Sequence, residues 1–249
     1  MLVAYEVQAF VRRTPGESKI ENPWRNVPRS APYVLSSDAD VVAALNHRNQ
    51  GKPAYRFQTQ LLPEPFVGSP SAPLYVLGLN PGYAEVIDDR WHRRAPFRRA
   101  VFANLKHTAQ PFPFYFFAPE LADSPGACWW RRKWKWLIEA LGVEFVSRAL
   151  FCIESFPYHS QKFAPVPKKL AANRNVPSFT YSAHLLRQAI ADEKPIIVMR
   201  ACKRWKVQVT ELRNYRHLFH IRNPRNVVLS PNKVIGFAKL MRRLKSFGI

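Results

Sequence analysis

The sequence predicts an α/β fold, in which a central parallel sheet is flanked by helices on both faces. Short apolar runs occupy residues 73–79, 148–153, 195–199 and 219–221, and each is followed by polar residues or proline. Segments with helical spacing of apolar residues lie between these runs. Continuous apolar strands are typical of parallel sheets, because helices cover both faces of such sheets. The alternation of strands and helices therefore favours this fold class.

Four helices are expected beside these strands. One is predicted near residues 38–49, and another over residues 129–141, where Gly142 ends it. Residues 178–192 place their apolar side chains on one helical face. Residues 232–247 are expected to close the chain as a basic helix. In this fold class, functional sites gather in the loops at the carboxyl ends of the strands.

The charge of the chain indicates a polyanionic partner. Of its 249 residues, 38 are Lys or Arg and 17 are Asp or Glu, which gives a formal net charge of +21. Such an excess in a globular chain favours DNA or RNA as the partner. A role of the charge in solubility alone is the weaker alternative, because so many like charges also repel one another.

Several classes of protein are excluded by the composition. Three widely separated cysteines (Cys128, Cys152 and Cys202) fit neither a disulfide framework nor metal-ligand spacing, and they are too few for a four-cysteine iron–sulfur cluster. No apolar run approaches the roughly 18 residues of a membrane span, and the N-terminus lacks signal-peptide features. We therefore expect a cytoplasmic protein without metal, cofactor or membrane partner, and a monomer by default.

The sharpest motif is Gly78-Leu79-Asn80-Pro81-Gly82, which follows the first apolar run. Asn, Pro and Gly are turn residues, so this segment taken alone is also compatible with a turn that ends a strand. The chain lacks the patterns GxxxxGK and GxGxxG, which excludes the common phosphate-binding loops.

A second motif lies in residues 223–233, between the run at 219–221 and the last helix. It is polar and is interrupted by Pro224 and Pro231. Such a loop suits contact with phosphates and insertion into a duplex, and an ordinary surface loop is the alternative.

Together the two motifs resemble those of the uracil-DNA glycosylase superfamily. The segment 78–82 is similar to the first motif of its mismatch-specific and single-strand-selective branches, which has the form Gly-x-Asn-Pro-Gly. Asn223-Pro224-Arg225-Asn226, followed by Asn232-Lys233, resembles the second motif, whose single-strand-selective form is His-Pro-Ser-Pro-Arg-Asn and then Ala-Asn-Lys. The likeness covers about residues 60–249.

The resemblance implies a uracil-DNA glycosylase-like catalytic domain at residues 61–249, with residues 1–60 as an N-terminal extension packed on its core. It implies a monofunctional, metal-free hydrolase that flips a nucleotide out of DNA, cleaves its base–sugar bond and leaves an abasic site. Uracil removal in base-excision repair is one alternative. A non-catalytic DNA-binding module on the same fold is the other.

Within this resemblance the first motif supplies the catalytic centre and much of the pocket. Asn80 would hold the attacking water through its side-chain carbonyl. Gly82 stands where the uracil-specific branch has a Tyr that blocks substituents at C5 of the base. The pocket is therefore expected to admit 5-substituted pyrimidines, unless Tyr83 fills the space. The remaining residues of this part of the pocket are Gly78, Leu79 and Pro81.

Glu154 follows the second apolar run, where the superfamily often has an Asn that recognises the edge of uracil. An ionised Glu only accepts hydrogen bonds, so it suits the N4 amino group of cytosine better than uracil. Alternatively, Glu154 anchors the loop or orients His159. Tyr158 and His159 either line the pocket or pack in the core.

These two features together favour a cytosine with a C5 substituent, such as glucosylated hydroxymethylcytosine in phage DNA. The superfamily includes antiphage defence glycosylases that act on such DNA, and this chain is a candidate member of that group.

One position departs from the superfamily pattern. The second motif normally begins with a His that stabilises the departing base, and the aligned residue here is Ile221. His220 precedes it and should point to the opposite face of the strand. The residue that stabilises the leaving base is therefore open among His220, Arg222 and His159.

Contacts to the DNA backbone are expected from residues outside the pocket, and they would make the affinity sensitive to salt. The tryptophans within residues 129–136 are expected to pack in the core rather than to stack on bases. The expected backbone contacts are Arg93, Arg94, Asn223, Arg225, Asn226, Ser230, Asn232 and Lys233.

Overall fold

A computed structural model describes residues 20–163 and 176–247 of the chain. Six strands in these residues form one sheet with the order β1-β3-β2-β4-β5-β6. The strands are β1 (Phe66–Gly68), β2 (Leu74–Leu77), β3 (Leu150–Ile153), β4 (Ile196–Val198), β5 (Leu218–Ile221) and β6 (Val234–Ile235).

The prediction of a parallel sheet is confirmed for the four central strands and wrong for the two edges. Strands β3, β2, β4 and β5 are mutually parallel, whereas β1 pairs with β3 and β6 pairs with β5 in the antiparallel sense. Antiparallel neighbours can be joined by short connections, whereas parallel strands need a long crossover. The edge strands have three and two residues, too few for a recognisable apolar run.

The helices expected at residues 38–49, 129–141 and 178–192 are confirmed, and the last expected helix begins late. Residues 234–235 pair with β5, and Gly236 has a φ of +76° before the helix starts. The eight α-helices of the described residues are α1 (Ala39–Arg48), α2 (Val86–Trp91), α3 (Ala95–Leu105), α4 (Pro125–Leu141), α5 (Val143–Ala149), α6 (Pro177–Ala191), α7 (Cys202–Gln208) and α8 (Phe237–Lys245).

Helices and loops cover both faces of the sheet. Every residue of β2, β3 and β4 is buried, and successive side chains of a strand point to opposite faces. The outer edge of β1 is covered by Asn104 of α3, whose Nδ2 donates to Phe66 O (2.8 Å) and whose Oδ1 accepts from Gly68 N (3.0 Å). Both edges of the sheet are therefore short, and one is capped by a side chain.

Residues 20–60 contribute to the same hydrophobic core as the rest of the described chain. Trp24, Leu35, Val42 and Phe57 are buried in one continuous cluster with the strands. The domain boundary at residue 60 stays a prediction, and residues 1–19 of the expected extension lie outside the described residues. Throughout the described part of the chain, helices with the length and apolarity of a membrane span are lacking.

Candidate functional site

A cavity of about 630 Å³ opens at the carboxyl edge of the sheet. Gly78, Glu154 and Met199 line it, and they directly follow β2, β3 and β4. The residues that start α4, from Ser124 to Gly126, form another part of the wall. The structure thus brings together three strand ends and one helix N-terminus, at the place where open α/β sheets bind ligands.

The segment Gly78–Gly82 is held by hydrogen bonds from neighbouring elements. Gly78 N donates to Ile153 O (2.9 Å), and Gly78 O accepts from the buried indole of Trp205 in α7 (2.8 Å). A Cβ atom on Gly78 would collide with the carboxyl group of Glu154. This position therefore needs glycine because the glutamate is packed against the backbone.

Asn80 lines the cavity, and its amide group has a fixed orientation. Its Nδ2 donates to Pro81 O (2.9 Å), to Ser160 Oγ (3.0 Å) and, at 3.4 Å, to Tyr158 O. No described residue donates a hydrogen bond to Asn80 Oδ1. The carbonyl oxygen of the side chain is therefore the atom that remains to accept a hydrogen bond from water or a ligand.

Gly82 faces open space. Apart from its chain neighbours, nothing in the described residues lies within 4 Å of a Cβ atom placed on Gly82. Tyr83 also lines the cavity, and its hydroxyl donates to Asp89 Oδ2 of α2 (3.0 Å). Partial burial and this hydrogen bond raise the pKa of Tyr83 to about 12, so it stays a neutral donor.

Glu154 is packed between Gly78 and Cys152, and it lines the cavity. Its Oε1 lies 3.8 Å from the Cys152 thiol, and its buried Oε2 has no hydrogen-bond partner among the described residues. Burial raises the pKa of Glu154 to about 7, against the opposing effect of Arg200. Near neutral pH the carboxyl group is therefore present in both its ionised and its protonated forms, and the role of Glu154 as an acceptor toward the base stays a prediction.

Three further polar side chains meet in the cavity wall: Glu64, His92 and His159. His159 Nε2 lies 3.8 Å from Glu64 Oε1, and its Nδ1 lies 2.6 Å from Gly82 O. Burial lowers the pKa of both histidines and raises the pKa of Glu64, whose neutral form is also favoured by nearby Asp88. The cluster therefore favours neutral groups that can exchange protons.

The hydrogen bonds of this cluster do not fit a metal ion. His92 Nδ1 accepts from Leu62 N (3.0 Å), which puts the ring proton of the neutral form on Nε2. His159 has a backbone carbonyl near each nitrogen, Gly82 O at Nδ1 and Leu62 O at Nε2 (3.1 Å). The nitrogens that would bind a cation are thus occupied, so we interpret the cluster as a proton-sharing group.

Sequence reasoning identified His159 but missed Glu64, His92 and Asp88. Glu64 precedes the edge strand β1, and His92 ends the short helix α2, so no regular spacing relates them to the motif at 78–82. Helix α3, which follows them, does have a recognisable pattern in the sequence, because its buried residues Phe97, Val101 and Leu105 repeat at helical spacing.

Backbone strain occurs on both sides of the cavity. Glu85 (φ 52°) and Ala201 (φ 59°) are non-glycine residues with positive φ, and they directly precede α2 and α7. Ala84 and Arg200, their neighbours, line the cavity. Conformations of this kind are unfavourable by about 1–3 kcal/mol each and are frequent at functional sites.

Tyr158 was expected in the pocket, but its side chain packs in the core instead. Its side chain is 1% exposed, donates to Asp38 Oδ2 (2.9 Å) and accepts from Leu35 N (3.3 Å). It therefore fixes the N-terminal segment on the core, in line with the packing alternative, and its ring does not line the cavity.

His220 and Arg222 also lie outside the cavity wall. His220 is partly buried, with its Nδ1 3.9 Å from Cys202 Sγ, and the Arg222 side chain is exposed. Among the three candidates for stabilising the departing base, only His159 lines the cavity of the described residues. The wall contains all the other expected pocket residues, namely Gly78, Leu79, Asn80, Pro81, Gly82, Tyr83 and Glu154.

The second motif forms an exposed loop that contacts α4. Residues 222–226 are exposed, whereas Val227 and Leu229 are buried and anchor the loop. Leu229 N donates to Lys133 O of α4 (3.0 Å), and Lys133 is close enough to Arg200 of the mouth for their charges to interact. Of the other expected DNA contacts, Asn226, Asn232 and Lys233 are exposed and Ser230 is partly exposed; Asn223 Oδ1 accepts from Arg225 N (2.9 Å).

The two expected DNA contacts before α3, Arg93 and Arg94, have different surroundings. The Arg94 guanidinium stacks over the Trp91 ring, 4.1 Å from its centroid. Arg93 lies in a separate groove on the surface. Neither side chain lines the cavity.

No protein-family model, curated protein or solved structure matches this chain. The likeness to the glycosylase superfamily thus depends on the two sequence motifs alone.

Proposed function

We propose that the protein is a monofunctional DNA glycosylase that hydrolyses the N-glycosidic bond of a modified pyrimidine. Its substrate would be a 5-substituted cytosine, such as glucosylated hydroxymethylcytosine in phage DNA, and its product an abasic site. One observation carries the proposal: the same cavity is lined by Asn80, whose Oδ1 accepts no hydrogen bond from a described residue, and by Glu154.

The first of these atoms suits the attacking water. Cleavage of a glycosidic bond passes through a sugar with oxocarbenium character, so a weak nucleophile suffices when it is well placed. Asn80 Oδ1 accepts one water hydrogen, and the three acceptors around Nδ2 prevent the amide from turning. The amide orients the water rather than removing its proton.

The departing base carries negative charge, and the cavity offers two groups that oppose it. The first residues of α4, which has 17 residues, line the cavity, and a helix N-terminus has a positive partial charge. His159, which also lines the cavity, would add a positive charge when it is protonated. These groups replace the histidine that the second motif lacks.

Gly82 and Glu154 favour a substituted cytosine over uracil, and the refusal of plain cytosine would come from contacts to the substituent itself. The open space at Gly82 leaves room for a C5 substituent, and a cavity of about 630 Å³ is within the range of pockets that bind whole small ligands, about 300–1,000 Å³. The ionised form of Glu154 accepts from the N4 amino group of cytosine and repels O4 of uracil.

Cations around the mouth support DNA as the partner. Arg200 and Lys162 line the cavity and are exposed, and Lys133 is close enough to Arg200 for their charges to interact. A backbone held by these charges would present one nucleotide to the cavity, at an unstacking cost of a few kcal/mol.

The test uses the purified chain and three DNAs that contain glucosylated hydroxymethylcytosine, plain cytosine or uracil. Abasic sites are counted as strand breaks after alkali treatment. We expect breaks in the modified DNA, none in plain cytosine DNA, and none for Asn80→Ala. Asn49→Ala, a change at the C-terminal end of α1 outside the cavity wall, is the matched control and should retain activity.

Breaks in uracil DNA alone would overturn the proposed substrate in favour of repair. An absence of breaks in every DNA would overturn the glycosylase itself and leave a binding module.

Uracil is the second candidate, because protonated Glu154 donates to O4 while its carbonyl accepts from N3–H. The pKa of about 7 for Glu154 makes this form available below neutrality. Uracil excision should then fall as the pH rises through 7, whereas excision of the substituted cytosine persists. Parallel pH profiles for the two substrates would contradict a role of Glu154 in base recognition.

A further inference from the structure

A second groove, of about 720 Å³, lies between residues 25–29 and the outer face of α3. Val27 and Phe102 supply apolar parts of its wall, and no acidic residue of the described chain lines it. We call it the cationic groove because of the six residues that line the rest of it: Arg25, Arg29, Arg93, Arg98, Arg99 and Lys106.

These six cations lack acidic partners. Within residues 20–163 and 176–247, none of them lies within 4.0 Å of a carboxylate oxygen. Other arginines of the chain, such as Arg187 and Arg243, do form ion pairs with glutamates. Six like charges around one groove repel each other, and an anion in the groove would relieve that repulsion.

Contacts between the N-terminal segment and α3 hold the two walls of the groove together. Arg98 donates from Nη1 to Tyr33 Oη (2.5 Å) and from Nη2 to Arg29 O (3.1 Å), and it stacks over the Phe102 ring at 5.5 Å. Asn22 Nδ2 donates to Leu105 O (2.8 Å), which attaches the N-terminal segment to α3. Arg98 and the wall of the groove are thus held before any ligand arrives.

The cationic groove and the cavity lie on different sides of α3. Phe97 points to the cavity, whereas Ala95, Arg99, Phe102 and Lys106 line the groove. At about 100° per residue, Phe97 and Arg99 are roughly 160° apart around the helix axis. The groove follows α3 from residue 95 to 106, a length of about 16 Å at 1.5 Å per residue.

We propose that the cationic groove is a second nucleic-acid-binding site, which holds the sugar–phosphate backbone of DNA away from the nucleotide that enters the cavity. The cations along α3 and its end, from Arg98 to Lys106, extend over about 12 Å at 1.5 Å per residue, enough for about three phosphates of one strand, which are about 3.4 Å apart along the duplex axis. A single phosphate group would use only a fraction of these charges. The proposal concerns binding and does not require the glycosylase activity.

The experiment measures the affinity of the full chain for undamaged duplex DNA at several salt concentrations. Arg93→Gln/Arg99→Gln removes two exposed cations of the groove. Arg148→Gln/Arg213→Gln, the control, removes two arginines from segments that lead into β3 and β5, at the opposite edge of the sheet from the cavity. Both double variants lower the net charge equally.

We expect the groove variant to bind DNA roughly 10–100-fold more weakly at 0.1 M salt, with a log–log salt slope smaller by about 2. The control should bind like the wild type. Arg93→Lys/Arg99→Lys should restore the slope, since lysine also neutralises a phosphate. Thermal unfolding of each variant verifies that it folds.

Equal affinities and slopes for the groove variant and the control would overturn the proposal, because net charge alone would then set the affinity. Loss of binding to anionic phosphatidylserine vesicles, with DNA binding unchanged, would overturn it in favour of a membrane surface. The two proposals fail in distinguishable ways. If only the glycosylase proposal is wrong, the groove still binds DNA, but the DNA never acquires abasic sites.

Discussion

The cavity and the cationic groove lie on two sides of α3 and have opposite chemistry. Three of the 17 acidic residues of the chain, Glu64, Asp88 and Glu154, line the cavity, where burial raises the pKa of each carboxyl group. Among the described residues, the groove is lined by six cations and by no acidic residue. Buried carboxyl groups lose charge, whereas exposed arginines keep theirs.

This difference separates two tasks. A few buried groups with adjustable protonation can discriminate between bases, and many exposed charges supply affinity without regard to sequence. Substitutions in the cavity should therefore change chemistry and selectivity while binding persists. Substitutions in the groove should change affinity while the chemical step persists.

The largest effect is expected for Asn80→Ala. Loss of the oriented acceptor should lower the single-turnover excision rate by roughly 10²–10⁴-fold, while the Kd for DNA changes less than about twofold. Single-turnover kinetics with enzyme in excess measure the rate, and fluorescence anisotropy measures the Kd. A variant with the excision rate of Asn49→Ala would show that Asn80 does not position the water.

The features that the sequence predicts best are those determined within one segment. The runs before Asn80, Glu154 and Met199 are continuous and apolar, so they predicted β2, β3 and β4, and their ends located one wall of the cavity. The second half of the site depends on tertiary contacts. Glu64 and His92 become neighbours of His159 only when β1 pairs with β3, and no local pattern encodes that pairing.

The same reason explains the errors at residues 234–235 and at Tyr158. Residues 234–235 lie in a segment with a basic helical pattern, but pairing with β5 makes them a strand. Tyr158 was a plausible pocket residue from its position beside His159, yet Asp38, 120 residues earlier in the chain, provides its partner. Contacts between distant segments override local expectation in each case.

The next largest effect is expected for Gly82→Tyr. The backbone of Gly82 does not have positive φ, and the space beyond it is open, so the fold should accept the ring. The ring would occupy the room for a C5 substituent and lower excision of the modified cytosine at least about 100-fold. Gly82→Ala is the control and should retain activity. Equal activity of the two variants would mean that the substituent lies elsewhere.

The smallest effect is expected for the stability of Glu154→Gln, which compares a buried carboxyl group with an exposed one. The pKa of Glu154 rises from 4.5 to about 7 on folding, so the folded state holds this proton more tightly than the unfolded state. The resulting stability is fully present below pH 4.5 and is lost as the pH rises through 7. Glu154→Gln removes this loss, because glutamine does not ionise.

Relative to the wild type, Glu154→Gln should therefore become progressively more stable between pH 5 and pH 8, by at most about 3 kcal/mol in the free energy of unfolding. Urea denaturation at a series of pH values measures the difference. Glu139→Gln, whose carboxyl group is exposed beside Lys135, should change stability by less than about 1 kcal/mol across this range. A flat difference for Glu154→Gln would mean that the wild-type carboxylate finds compensation in the folded protein, with Arg200 as the nearest source. In that case Glu154 would be ionised at neutral pH, and its recognition of the base would be restricted to donors such as the N4 amino group of cytosine.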